Sequence, residues 1–381
     1  MNPNHSLVAI TGLGMISCLG PDVETSCAAA RAGISRTTEL EFSVVREEDN
    51  DREVVAGHGI PGLAVGFEGI GRTLRIARLA AVDLSRRADL ARLNPERCGL
   101  ILALPDFGRA SRPAGKQPSG DLAYKNPLLP TREALLAQER SAILSGIRQS
   151  LGHLVPDRNM DIVQAGHAGF AIAADRAMGR IRSGEWDRCV IGAFDSLLEF
   201  PTLQWLSDHR RLKTCDNPVG LQPGEAGAFV VIESLQSALA RNATVCGLLT
   251  ASAAGLEDNH QFSGEPPLGK GFVETLEKLM PKLPDDFAPG WIVSDLNGEV
   301  YRSLEWGNAL VRLIKLIPML SEAELVCPAL SFGDTEAASG AVNLCLAVRA
   351  LSRGYAPPGG ILILSSSATG ERGALHVQKV N

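Results

Sequence analysis

Unbroken apolar runs and apolar residues at helical spacing alternate along this chain. "SLVAITGLGMIS", "CGLILALP", "MDIVQAG", "DRCVIGAFDS" and "GAFVVIES" read as strands buried on both faces, the first broken by Gly12 and Gly14. Between them come helical patterns. "DVETSCAAARAG" has Asp22 placed as an N-cap and Gly33 at its end; "FAIAADRAMGRIRSG" is closed by Gly184. "RTLRIARLAAVDLSRRADL", "REALLAQERSAILSGIRQSLG" and "LQSALARN" are also predicted as helices. Alternating strand and helix predicts an α/β architecture with helix-covered central sheets.

The second half repeats the first in outline. After "TVCGLLTASAAG" come a helix ("FVETLEKLM"), a strand ("GWIVSDL") and a helix ("SLEWGNALVRLI"). "PALSFGDTEAASGAVNLCLAVRAL" then sets small residues in a turn before a small-residue helix, as "IVQAGHAGFAIAADRAM" does in the first half. The strands "GGILILSSS" and "GALHVQKV" follow. This predicts a pseudo-duplicated fold, with an N-terminal half over residues 1–240 and a C-terminal half over 241–381. Residues from about 105 to 130, rich in Pro, Gly, Ser and Lys, read as an irregular surface excursion.

Composition narrows the function. Hydrophobic residues are 45% and charged residues 21% of 381, ordinary for a folded chain with a sizeable core. The net charge of −6 and the lack of a basic stripe with interleaved aromatics argue against nucleic-acid binding. The opening "MNPNHSLVAITGLG" lacks the features of a signal peptide, and no apolar stretch reaches the ~18 residues of a membrane span. The eight cysteines form no C-x-x-C pair, so zinc is not expected and buried thiols in a reducing cytoplasm are. The seven histidines include no H-x-x-x-H pair, and neither "GFEGIG" nor "GLGMIS" fits a dinucleotide loop. No metal and no cofactor is expected.

Taken together, the segments resemble the β-ketoacyl-ACP synthases of the thiolase superfamily. "VAITGLGMISCLGPDVETSCAAARAG" is similar to the family's first strand, glycine loop and helix; "RIRSGEWDRCVIGAFDS" is similar to its segment after the nucleophile helix. "VGLQPGEAGAFVVIES" is similar to its "D-G-F-x-x-G-E-G-A-G-x-x-x-L-E", keeping Gly220, Gly224, Glu225, Gly227 and Glu233, and "GDTEAASGAV" to its "G-H-x-x-G-A-A-G-A-V". The resemblance runs from about residue 7 to 380, outside the Pro-rich excursion. It implies a thiolase-like fold, two pseudo-duplicated halves in five layers, α-β-α-β-α, and a dimer.

In that family a Cys attacks an acyl thioester and two His stabilise the charge that develops on decarboxylation. Here the resemblance puts Gly166 at the Cys position, followed by His167. The first His position falls on Asn297 or, with a shift of two, on Asp295; Glu305 stands at a later Asp of that motif. The second His becomes Asp334, the Lys five residues earlier becomes Ala329, and the gating Phe becomes Ala368 in "SATGER". Glycine cannot form an acyl-enzyme, and an anionic Asp334 repels an oxyanion. No catalytic residue is assigned; His167 is a weak candidate, with a packed or interface role as its plainer reading. Gly166, His167, Asp295, Asn297, Asp334 and Ala368 are the candidate substrate-binding positions. The plainer readings are an N-cap for Asp334, a turn for Asn297-Gly298 and a loop-holding role for Glu225.

Three functions follow. The first is a non-condensing partner subunit resembling a chain-length factor, forming a homodimer or a heterodimer with an active ketosynthase, or binding an acyl chain or acyl carrier protein. The second is a thiolase-fold adaptor without acyl chemistry, of the kind associated with secretion. The third is an acyl-thioester enzyme with altered chemistry. A pocket filled by side chains counts against the first and the third.

Overall fold

The computed structural model describes residues 7–63, 67–90, 94–106, 109, 132–151, 155–284 and 287–380. Apart from Pro105, Asp106 and Arg109, the Pro-rich excursion lies outside the described residues. The elements of the first half are β1 (Val8–Ser17), α1 (Val23–Arg31), β2 (Thr38–Val45), β3 (Arg52–Gly57), α2 (Gly69–Arg87), β4 (Cys98–Ala103), α3 (Arg132–Ser150), β5 (Met160–Val163), α4 (Gly169–Arg182), β6 (Arg188–Ser196), α5 (Phe200–Asp208), β7 (Glu225–Ser234) and α6 (Leu235–Ala240). Those of the second half are β8 (Gly247–Leu256), α7 (Lys270–Leu279), β9 (Trp291–Ser294), α8 (Val300–Leu316), β10 (Glu324–Val326), α9 (Ala329–Phe332), α10 (Ser339–Arg353), β11 (Ile361–Ser366) and β12 (Glu371–Gln378).

The strand order is β10-β9-β11-β12-β8-β1-β7-β6-β4-β5. Numbered within its own half, each set of five strands runs in the same order, 3-2-4-5-1, read from the sheet's edge to its middle. The directions match too. β4 is parallel to β5 and β6, as β9 is to β10 and β11. β7 is antiparallel to β6 and β1, as β12 is to β11 and β8. The halves meet where Val8–Ile10 of β1 pair antiparallel with Gly247–Leu249 of β8. The repeat read from the sequence pattern is therefore a repeat of topology.

Helices α4 and α10 form the middle layer. α4 packs on β4 and β6 of one half and on β8 and β12 of the other; α10 packs on β7 and β11. Both are dense in small buried residues (Ala171, Ala173, Ala174 and Ala177; Ala341, Ala347 and Ala350), which let two sheets approach one helix layer. α2 covers the outer face of the first sheet, with α3 packed on it, and α7 and α8 cover that of the second. Such packing needs glycine at Gly14, where a Cβ would lie 2.3 Å from Leu84 N and 2.6 Å from Ala80 O of α2.

The local signals explain the element ends. Asp22 Oδ1 accepts from Thr25 N at 2.8 Å, capping α1 as its position predicts. The sequence pattern gave no sign of the β2–β3 hairpin, α5 or β10. β2 is mostly exposed, α5 is a nine-residue helix opening on Phe-Pro, and β10 is a three-residue edge strand, so none carries a strong periodicity. No described helix is long and apolar enough to cross a membrane.

Candidate functional site

The turn between β5 and α4 is a nucleophile elbow in backbone only. Gly166 sits at φ +45°, in the left-handed region that side-chain-bearing residues avoid, and a single 3-10 turn then leads into α4. Ser367, from the β11–β12 connection, clasps the turn: its Oγ accepts from Ala168 N at 3.0 Å and donates to Ala165 O. A Cβ at Gly166 would lie 3.3 Å from Ser367 Oγ and 3.7 Å from Glu336 Oε1.

Charged side chains fill the space in front of this elbow. Arg302 of α8 is 2% exposed and is the hub. Its Nη1 donates to Ser366 O at 2.6 Å and lies 3.2 Å from Asp295 Oδ2; its Nη2 is 3.0 Å from His167 Nδ1. A guanidinium only donates, so the network assigns His167 Nδ1 as acceptor and Nε2 as the N–H that donates to Asp334 Oδ1 at 2.8 Å. Asn297 Nδ2 donates to Asp334 Oδ2 at 2.6 Å and to Glu299 Oε2 at 2.8 Å. Arg211 grips Glu299 through two bonds of 2.6 and 2.8 Å. Asp295 Oδ2 also accepts from Ser366 N at 2.7 Å.

Asp334 and Glu299 are held ionised by their neighbours. Burial alone raises a carboxyl's pKa, but the hydrogen bond from His167, the Arg302 guanidinium and the hydrogen bond from Asn297 hold Asp334 well below the usual carboxylate range. Burial likewise opposes ionisation of Glu299, but Arg211 and Arg302 bring it down to about 2. Two further pairs flank this group. Glu305 bonds Arg372 and accepts from Ser366 Oγ at 2.6 Å; Arg109 pairs with Asp195 and Glu336. Among the described residues, no three His, Cys, Asp or Glu side chains group to hold a metal ion.

His167, Asp295, Asn297 and Asp334 thus converge, together with Ala329, around one cavity of about 10 Å³. That is room for about one water and not for an acyl chain. Asn297 touches Asp334 directly, whereas Asp295 reaches it through Arg302. Gly166 lies beside this space without a side chain, and Ala368 sits in the β11–β12 turn and does not line it. Of the plainer readings, the N-cap is not what Asp334 does, since Ala338 is the N-cap of α10. Asn297 Oδ1 accepts from Glu299 N at 3.1 Å across Gly298, and Asp334 Oδ1 accepts from Glu336 N at 2.8 Å, although α10 itself starts only at Ser339. Glu225 binds Arg72 at 2.6 Å and holds a loop by accepting from Ile60 N at 2.8 Å. Sequence reasoning missed Arg302, Glu299 and Arg211. The first two had a signal: Glu299, Arg302 and Glu305 are spaced by three, which places them along one side of a helix, and all three are buried.

By sequence, no family model matches the chain, and no curated protein does. By structure, it is similar over its whole length to chains of known ketosynthase assemblies. One belongs to a type II PKS acyl-carrier protein in complex with its ketosynthase bound to the hexaketide (TM-score 0.78, 16% identity, 99% of this chain, 100% of that one). Another is from the ishigamide ketosynthase/chain length factor (TM-score 0.71, 18% identity, 99% and 100%). A third is the ketosynthase from module 6 of the bacillaene synthase of Bacillus subtilis (TM-score 0.71, 11% identity, 98% and 72%). The fold is therefore thiolase-like, as the sequence resemblance implies.

Proposed function

We propose that this chain is a non-condensing ketosynthase-like subunit that works through protein contacts, pairing with a ketosynthase in a fatty-acid or polyketide-type assembly. The observation that carries this reading is the elbow with Gly166 at its apex, faced by a buried ion network that leaves only about 10 Å³ open. Glycine offers no nucleophile. His167 offers no free base, because its Nδ1 lone pair is engaged by Arg302 and its other nitrogen by Asp334. An anion at Asp334 opposes oxyanion formation. The filled space tells against altered acyl chemistry and against an acyl chain held at this chain's own elbow. What it leaves of the partner-subunit reading is the partnership itself. Two observations support that: the likeness to a ketosynthase/chain length factor, and β5, which among the described residues pairs only with β4 and stands at the edge of the sheet. The adaptor reading is favoured by the same filled pocket and differs only in the partner.

The test has two parts. Intact mass is measured after incubation with malonyl- and acetyl-loaded carrier protein while carbon dioxide release is followed; neither an adduct nor release above background is expected. The chain is then co-expressed with an intact ketosynthase of a type II assembly, and a stable complex is expected on size-exclusion chromatography. A covalent adduct overturns the non-condensing reading; failure to associate leaves the adaptor reading.

A further inference from the structure

On a different part of the surface, an open groove of about 870 Å³ runs between the β2–β3 hairpin and the start of α2 and α5. This is within the size range of about 300–1,000 Å³ typical of ligand sites. Leu40, Ile60, Phe67 and Phe200 give it apolar walls. Phe200 is 63% exposed, although Phe42 holds its ring edge-on at 5.7 Å. Clustered apolar side chains inside a polar rim mark an interaction surface.

The rim is acidic. Glu39, Glu41, Glu68 and Glu199 line the groove, against Arg36 and Arg72. Arg72 is committed elsewhere, through its bonds of 2.6 and 2.9 Å to buried Glu225. Glu199 Oε1 is shut off from solvent, accepts no hydrogen bond, and lies 3.9 Å from Arg72 Nε, so one carboxylate oxygen facing this wall lacks a donor. At the groove's edge Arg75 lies 4.5 Å over the ring of Phe67, the arrangement an incoming cation would adopt on Phe200.

We propose that this groove docks a segment of a partner polypeptide bearing Lys or Arg beside aromatic or aliphatic residues. The stems of such cations cover apolar wall while their heads meet the rim carboxylates. An anionic group such as the phosphopantetheine arm of a carrier protein meets repulsion from the same carboxylates. The inference does not rest on the proposed pairing with a ketosynthase, which is argued from the β5 edge.

A random-peptide display library panned against the full chain tests it, with selected peptides labelled and titrated by fluorescence anisotropy. Enrichment of Lys or Arg together with Phe or Leu is expected. Affinity should fall at least about tenfold in Glu68→Lys, in Phe200→Ser and at high salt. Both positions are exposed, so the variants fold, and Glu277→Lys on α7 should bind as the parent does. No enrichment, enrichment of Asp or Glu, affinities unmoved by both groove variants, or displacement by 4′-phosphopantetheine each overturns the proposal.

Discussion

Arg302→Met is the sharpest test of the view that ions, not substrate, fill the site. Met matches much of the arginine stem's volume but carries no charge. The change removes contacts of 2.6 Å to Ser366 O, 3.0 Å to His167 Nδ1 and 3.2 Å to Asp295 Oδ2. Each hydrogen bond to a charged group contributes about 1.5–3 kcal/mol, so three sum to about 5–9 kcal/mol as an upper bound. The stranded carboxylates relieve part of that by taking up protons, and stripping one partner from a buried ion pair costs about 3–5 kcal/mol in practice. We expect a loss of about 3–5 kcal/mol at pH 7, read by urea unfolding.

The conservative variant makes this specific. Arg302→Lys keeps the charge but cannot donate to Ser366 and His167 together, and should recover part of the loss. A loss below about 1 kcal/mol would refute the reasoning, because a surface-like pair behaves that way.

Three further outcomes follow from the same geometry. Glu299, held at about 2, should contribute about 3 kcal/mol that is fully present above about pH 4.5 and is withdrawn as pH falls through its folded pKa, read as the difference between the parent and Glu299→Gln in guanidinium unfolding at stepped pH. Gly166→Cys should cost about 1–3 kcal/mol, since its φ of +45° and the 3.3 Å approach to Ser367 Oγ penalise any side chain; its thiol should stay unacylated by acetyl-loaded carrier protein in intact-mass spectra. Gly14→Ala should cost at least about 3 kcal/mol, visible as a fall in Tm, because the new methyl meets α2 backbone at 2.3 Å and the helix must lift from β1.

The fold was legible where burial leaves a simple mark. β1, β4 and β6 are buried along their whole length, so their unbroken apolar runs have no other plausible reading. The hairpin Thr38–Gly57 was not legible, because a two-stranded sheet with mostly exposed positions mixes Glu, Arg and Val without a clean period. Asn297 and Asp334 could be found from motif position, since the turns that present them survive. Arg302 could not be found that way, because no motif position points to it. A charge on a helix normally signals a solvated face, and only the spacing of Glu299, Arg302 and Glu305 hinted that these three share a side.

The kind of residue that fills the space before the elbow follows from the groups that face it. The elbow is held by Ser367 and by the packing of α4 between two sheets, none of which needs a thiol, so the backbone persists without a nucleophile at its apex. The surrounding strand ends and helix starts still present polar groups to a dry interior, and unsatisfied groups there cost about 1–3 kcal/mol each. Apolar filling would leave Ser366 O and His167 Nδ1 without the donor they have here. A guanidinium with several donors meets both at once, and the carboxylates then balance its charge. A site closed this way is bound together by its own ions, so reopening it for an acyl thioester would require breaking Arg302 away from Asp295, Ser366 and His167 in one step. Placing a cysteine at Gly166 alone leaves all of those contacts in place, which is why that single change should yield a thiol without condensing activity.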